Sequence, residues 1–486
     1  MIARSLSAIL CLGLGCAGTP DKPAPVTAHV PGAWRAEGES TAELPPLQPG
    51  TIEGGTWWRT FDDPALDRLM AEAQTRNLDL RIMEARIREA RAIQRAAGRN
   101  LLPEINGAAG IETGRTRAGV SDADTTAQAS LGVSWELDLF GRLRNEARAA
   151  AADAEATLAE RDGLRAALLA DVARAYFQDR RYRAEEALAR KNIEAQASTV
   201  RITRARFEQG VASRLDLERT TAQLAVTRSR LPLAVELADS ARAQLALLLA
   251  STPEEIARFL PGEAPLPRTD VTAVLRAPGD VIAARPDVRS AERRLQAAVA
   301  RRAATGALRF PRLSLAGLVG VRTGDEGALF ESQTGLWSVG ANLLTPIFHF
   351  GRIRAAIDAA DARQEQAYLE YERVARSALS ETQTAIVSYR QGALRQRELG
   401  VAVEAGRKAV DLARRQYAEG TLSLLEVLDA ERTVYDAELS WSQASIEVAL
   451  RLVRLYQTMG VVPPVPPTTT ATQTPAGTRW SSRKRS

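Results

Sequence analysis

The sequence predicts a mainly α fold with a small β part, built as an internal tandem duplication, and three features of its 486 residues point to it. Two long stretches, Asn106 to Leu231 and Ile347 to Val462, contain no proline and carry apolar residues at helical spacing. Short runs of alternating apolar and polar residues lie at matching places in the two halves of the chain. Distinctive motifs also recur in one order. Phe140-Gly141-Arg142-Leu143-Arg144 returns 210 positions on as Phe350-Gly351-Arg352-Ile353-Arg354. Phe207-x-x-Gly210-x-x-Ser213-x-Leu215-Asp216 returns as Tyr417-x-x-Gly420-x-x-Ser423-x-Leu425-Glu426. Upstream, Asp79, Arg81, Glu84, Arg86, Gly98 and Pro103 match Asp287, Arg289, Glu292, Arg294, Gly306 and Pro311 at 208. Matched glycines, prolines and aromatics mark a true repeat far better than matched alanines do.

The chain opens on an export signal over residues 1–16. Arg4 precedes an apolar run, Leu6 to Leu14, that is too short to span a bilayer, which takes about 20 residues. Leu14-Gly15-Cys16 resembles a bacterial lipoprotein processing site, with Gly13 where leucine is usual, so Cys16 is the candidate lipidated residue; a plain cleaved signal peptide is the alternative. Gly13-Leu-Gly15-Cys-Ala-Gly18 also fits GxGxxG, but no strand precedes it and no βαβ unit surrounds it. Residues 17–60 are an extended tether, docked by Trp57-Trp58. The first repeat spans 61–280 and the second 281–462. Residues 463–486 read as a disordered Pro/Thr-rich, then basic, tail.

Each repeat reads as helix, β-hairpin, long helix, tight turn, helix. The first helix covers roughly 64–98 and 285–306. The hairpins occupy about 105–139 and about 312–348, joined by polar linkers at 112–128 and 322–335. Leu131, Val133, Trp135, Leu137 and Leu139 alternate with Gly132, Ser134, Glu136 and Asp138, and Leu313 to Val321 and Trp337 to Leu343 keep the same period. A strand near 105–111 is weaker and glycine-rich. Leu143, Ala147, Ala150, Ala154, Leu158, Leu164, Leu168 and Val172 then hold a three- and four-residue rhythm. A helix over 141–208 would be about 100 Å long and requires a bundle or coiled-coil setting. Pro232 predicts a kink in the returning helix of the first repeat, where the second has Ser442.

Composition narrows function. Aromatics are 5% of the chain, and it holds two histidines, His29 and His349, and two cysteines, Cys11 and Cys16. A His/Cys metal site and histidine-based catalysis are therefore disfavoured, no cofactor is implied, and GxSxG, P-loop and HExxH motifs are absent. The 64 basic and 59 acidic residues are interleaved, and only Arg483 to Arg485 gather positive charge, which argues against nucleic acid. His349 reads as an interfacial packing residue at the strand-to-helix junction.

Strands of about 9–11 residues match tilted membrane crossings. Four of them cannot close a barrel, and an open edge leaves backbone groups unpaired in lipid. Closure needs several copies: two give eight strands, three give twelve. The odd-numbered apolar residues would face lipid, and Gly132, Ser134, Glu136 and Asp138 a wet lumen. The competing reading is an exported coiled-coil scaffold or adaptor lipoprotein that never forms a pore.

Trp135-Glu136-Leu137-Asp138-Leu139-Phe140-Gly141-Arg142-Leu143-Arg144, Arg285-Pro286-Asp287, Phe310-Pro311-x-Leu313, Pro346-Ile347-Phe348-x-x-Gly351-x-x-Arg354, and Tyr417-x-x-Gly420 followed by Leu428-Asp429-Ala430-x-Arg432 resemble the TolC/OprM-type outer-membrane efflux proteins, and Cys16 their lipoprotein branch. The similarity runs over about residues 50–460. It implies a homotrimer in the outer membrane with a twelve-stranded β-barrel and a periplasmic α-barrel of twelve stems. An equatorial belt would use the N-terminal stretch, residues near 245–285 and the region after 455. The family acts as passive exit ducts for an inner-membrane pump and a periplasmic adaptor (membrane fusion) protein. By motif position the resemblance places a periplasmic gate at Tyr417, Leu425, Glu426, Asp429 and Arg432. Adaptor-docking tips fall at Gly210, Val211, Ala212 and Ser213 and at Gly420, Thr421, Leu422 and Ser423. Leu422 stands where some relatives carry an arginine. Independently of the family, Gly210 and Gly420 fit helix-ending C′ positions, and Ser213-x-x-Asp216 and Ser423-x-x-Glu426 fit capping boxes. Glu426 thus has a plain capping reading, which Asp429 lacks.

Overall fold

The computed structural model describes residues 30–35, 47–114, 124–260, 272–324 and 335–464. The signal segment with Cys16 and the tail beyond residue 464 lie outside them.

The duplication is visible element by element. Helix α1 spans Pro64–Arg76 and α2 Leu78–Arg99, followed by strands β2, Glu104–Gly114, and β3, Asp124–Leu137. Helix α3, Arg142–Glu208, returns through α4, Arg214–Leu248. In the second half α7, Pro286–Gly306, precedes β5, Arg312–Thr323, and β6, Gly335–Leu344; α8, Arg352–Ala418, returns through α9, Leu424–Thr458. Both long helices have 67 residues and both returning helices 35. At 1.5 Å per residue the long ones extend about 100 Å.

Two details differ from the sequence pattern, at Asn77 and in the first hairpin. The first helix of the first repeat is broken at Asn77, which is buried. Its side chain accepts a hydrogen bond from the Leu80 N–H (3.0 Å), capping α2, and donates to the Leu248 carbonyl (2.9 Å). Helix α4 keeps Pro232 inside its span, as the sequence pattern allows. The linker read at 112–128 is partly strand, since β2 runs to Gly114 and β3 starts at Asp124 with Thr113 and Thr125 hydroxyls 3.1 Å apart.

Pairs between α7 and α3 (Arg301–Asp153, Arg294–Glu160 and Arg289–Asp162) lay α7 along the strand-proximal part of α3. The pair Arg183–Asp239 joins the lower part of α3 to α4 at 3.0 Å. The end of α4 meets the start of α2 through Asn77 and Leu248, and the end of α9 meets the start of α7 through Arg285 and Thr458, so each half supplies one continuous stem and one stem made of two shorter helices. Alanines such as Ala149, Ala156, Ala170 and Ala173 are buried along α3 and let neighbouring helices approach closely.

The core sits at the middle of the long axis. Tyr176 and Phe177 of α3, Ile386 and Tyr389 of α8 and Tyr456 of α9 pack there with Trp34, Trp57, Trp58 and Phe61. Trp57 lies 6.2 Å from Tyr456 and Phe61 4.9 Å from Phe177, centroid to centroid. Short helices α5, Pro253–Phe259, and α6, Pro278–Ala284, contribute Ile256 and Val281. Strand β1, Leu47–Pro49, pairs parallel with β4, Ala273–Leu275, and the Trp34 indole N–H donates to the Arg276 carbonyl at 2.7 Å. Segments from both ends of the chain thus meet at one level.

Candidate functional site

At one end of the stems β2, β3, β5 and β6 form a four-stranded sheet in the order β2-β3-β5-β6, antiparallel throughout. Its register gathers apolar residues on one face, because directly opposed residues share a face. Ile105 opposes Val133, Leu131 opposes Val319, Val319 opposes Trp337, and Leu313 opposes Leu343. Asn106, Gly132, Ser134, Ser314 and Asn342 lie on the other face, with Leu318, Leu336 and Leu344 as exceptions. Leu131, Val319, Trp337, Val339 and Leu343 are exposed, an apolar face without cover in the single chain. Among the described residues β2 and β6 each have one unpaired side. No described helix is long and apolar enough to cross a membrane.

The sheet meets the stems at a built junction. The Trp135 indole donates to the Leu101 carbonyl at 2.9 Å, and Phe140 stacks on Phe310 with centroids 4.7 Å apart. Gly141 begins α3 without a side-chain cap of its own. Asp138 takes that duty from outside the helix, accepting the N–H groups of Leu143 (3.0 Å) and Arg144 (2.9 Å) and pairing with the Arg144 guanidinium. Glu136 pairs with Arg142 at 2.9 Å. The residues read as lumen-facing acids are thus also engaged at the helix start, a duty the alternation of the strand does not reveal.

At the far end the two turns are alike. Gly210 and Gly420 have φ of 74° and 75°, the left-handed conformation that ends α3 and α8. The N–H groups of Val211 and Ala212 return to the Arg206 carbonyl, and that of Thr421 to the Gln416 carbonyl. The Asp216 carboxylate accepts the Ser213 N–H (3.2 Å), and the Glu426 carboxylate accepts the Ser423 N–H (2.9 Å). Val211, Gly210, Ser213, Gly420, Thr421 and Ser423 are exposed; Ala212 and Leu422 are half-buried.

Of the five residues marked as a gate, the structure brings together Asp429 and Arg432, which pair at 2.9 Å with both side chains exposed. Glu426 is used by its capping box, Leu425 is exposed, and Tyr417 is half-buried beneath the Arg206 guanidinium, 4.6 Å from its ring centroid. Arg206, Arg230 and Glu431 carried no sequence signal among so many similar helical charges. Arg230 lies over Tyr435 (5.0 Å) and pairs with Asp436 (3.4 Å), so both contacts tie the first hairpin to the second. Buried Glu431 accepts from Arg414 at 2.8 Å. Beside it, a hollow of about 360 Å³ between the hairpins is lined by Thr203, Arg206, Tyr417, Leu424 and Val427.

Electrostatics at the equator serve structure. Arg285 is buried, reaches Asp287 and Glu381, and donates to the Thr458 carbonyl at 3.1 Å. Burial disfavours charge on Asp287, but hydrogen bonds and attraction from Arg285 outweigh it and hold the carboxyl below the usual range. Burial pushes the Asp179 carboxyl up, against opposing pulls from Arg242 (3.5 Å) and Arg183 (3.9 Å). Burial, with a hydrogen bond to Asp63, raises Tyr176. Among the described residues no group of three or more His, Cys, Asp or Glu is placed to hold a metal ion.

A stem bundle carrying an open, one-sidedly apolar sheet has counterparts among known proteins. The chain is 30% identical over 483 residues to the pyoverdine export outer membrane protein OpmQ of Pseudomonas aeruginosa, covering 95% of this chain and 96% of that one. It is 32% identical over 487 residues to the toluene efflux pump outer membrane protein TtgF of Pseudomonas putida, covering 95% and 97%. The solved outer-membrane channel OprN superposes with a TM-score of 0.81 at 32% identity, over 92% of this chain and 99% of that one. The open state of the MtrE outer membrane channel of Neisseria gonorrhoeae gives 0.76 at 27% identity, over 92% and 98%. The sequence model of the outer membrane efflux proteins matches residues 69–251 and 277–461, one stretch in each repeat. With the fold and both repeats accounted for in this way, the chain belongs to the outer membrane efflux protein family.

Proposed function

We propose that three copies of this chain form a passive exit duct, conducting substrates from an inner-membrane pump and a periplasmic adaptor through the outer membrane. The observation that carries this is the pairing of a membrane-length sheet, apolar on one face and open at both edges, with stems of about 100 Å. Three copies bring twelve strands and twelve stems, and the apolar face meets lipid. A coiled-coil scaffold would have no use for an exposed face of Leu131, Val319, Trp337 and Leu343.

Within this duct, Gly210 to Ser213 and Gly420 to Ser423 are the tips that meet the adaptor. Asp429 is the acidic ring of the periplasmic gate, with Arg432, Leu425, Tyr417 and Glu426 around it. Cys16 carries the lipid that anchors the chain to the outer membrane. Native mass measurement of detergent-extracted protein is expected to give three chains per particle; a single chain would overturn the proposal. Cys16→Ser is expected to abolish palmitate labelling, and labelling that persists would remove the anchor. Three Asp429 carboxylates at a constriction attract multivalent cations, so such ions on the periplasmic side are expected to lower bilayer conductance. Asp429→Ala should relieve that block; an unchanged block takes Asp429 out of the gate.

A further inference from the structure

The duplication places the same strand pairing at several points of the sheet, and one of those points is left open. The pairing of β2 with β3 (Glu104 opposite Ser134) is repeated by β5 with β6 (Arg312 opposite Leu344), under shifts of 208 and 210 positions. Between the repeats, β3 pairs with β5, with Leu131, Val133 and Trp135 opposite Val319, Gly317 and Leu315. The same shifts carry β3 onto β6 and β5 onto β2. Among the described residues, β6 at one edge of this sheet therefore presents the side that β3 presents to β5, and β2 at the other edge presents the answering side.

We infer that adjacent copies of this chain join β6 to β2 antiparallel in one fixed register: Ala341 opposite the partner's Ile111, Leu343 opposite the partner's Ala109, and Thr345 opposite the partner's Gly107. The inference rests on the proposed closure of the sheet by copies, and adds which residues meet. Several observations support it. On the apolar face the register sets apolar or small residues together. On the other face Asn342 meets the partner's Gly110, where a bulky neighbour is absent and a side chain would stand in open space. A slip by one residue would turn one strand's apolar set to the wrong face. A slip by two keeps the faces but forfeits the junction match. There Phe140 stacks on Phe310, and the equivalent positions across the seam are Phe350 and the partner's Leu102. In the single chain Phe350 is 92% exposed and Leu102 63%. Ile347 and Ile105, at 87% and 69%, correspond to Leu137 and Leu313, which the inner seam leaves only half-buried. Pro346 and Phe348 stand where the first repeat has Glu136 and Asp138, so the second junction is apolar. Pro346 has no N–H to give, so the ladder ends beside Thr345 and side-chain contact continues it.

Paired cysteines test the register in membranes holding the assembled protein. The in-register pairs are Leu343→Cys with Ala109→Cys, and Asn342→Cys with Gly110→Cys. The slipped pairs are Asn342→Cys with Ala108→Cys, and Asn342→Cys with Glu112→Cys. Ser314→Cys with Asn342→Cys, opposed within one chain, reports that the sheet has formed. A two-residue slip moves the partners apart by about 7 Å along the strand, beyond disulfide reach. The in-register pairs are expected to give covalent oligomers on oxidation, at least about tenfold more than the slipped pairs. A slipped pair that wins overturns the register while leaving closure by copies intact. With the internal control formed, absence of cross-links from every intermolecular pair overturns the β6–β2 seam. Native mass then separates the two failures: three chains leave the duct standing, whereas one chain removes it as well.

Discussion

Arg285 is the side chain on which the equatorial packing turns most visibly. It draws the start of α7, the side of α8 and the last turn of α9 to one guanidinium through Asp287, Glu381 and the Thr458 carbonyl. Removing it takes the charged hydrogen bonds from Asp287, Glu381 and the Thr458 carbonyl, so Arg285→Ala is expected to cost about 1–3 kcal/mol, read as a lower melting temperature. The Asp287 carboxyl titrates below its unfolded value of about 3.9, so its contribution is full above that pH and fades as pH falls through the lower folded value. Asp287→Asn should therefore melt below the parent at pH 7, with the difference shrinking towards pH 3; a difference independent of pH would refute this role. Asp138 has an equally specific duty at the head of α3, and Asp138→Ala is expected to cost about 1–2 kcal/mol in thermal stability. At this scale the sequence was legible where a residue's partner is local. The Ser423–Glu426 cap follows from spacing alone, whereas Glu431, Arg206 and Arg230 acquire their meaning from neighbours on other helices.

Among elements, the turns are the most fully written in the sequence. Gly210 and Gly420 each end a 67-residue helix in the left-handed conformation, followed at once by a capping box. A side chain there is strained by about 1–2 kcal/mol, so Gly420→Val should lower the melting temperature, while a valine at a right-handed exposed position such as Ala418 should not. The break between α1 and α2 is the opposite case. Its cause is the Leu248 carbonyl, 171 residues away from Asn77, and no local periodicity reports it. The hairpin ends differ from the sequence pattern for a related reason. Thr113, Thr125 and their neighbours look like polar linker, but ladder partners across the sheet extend both strands through them. Long helices and alternating strands were legible because their signal is repeated many times along the chain. Boundaries fixed by a single distant contact were not.

For the whole molecule, the decisive feature is a mismatch between what the chain contains and what its sheet requires. Among the described residues, four strands with an apolar face and two unpaired edges suit a membrane only when the edges find partners. The stems show the same incompleteness, since each repeat ends in a hairpin exposed along much of its length, as Ile202, Val211, Val401 and Leu412 illustrate. Both were visible in the sequence as a duplication and an alternation, but the seam between copies emerges only when the registers of the two repeats are laid over one another. Reconstitution of the purified protein into a planar bilayer addresses the duct most directly. Discrete, stable current steps are the expected result, lowered by multivalent cations in the parent and far less so in Asp429→Ala. A membrane that stays electrically silent, with the protein inserted and folded, would contradict the account.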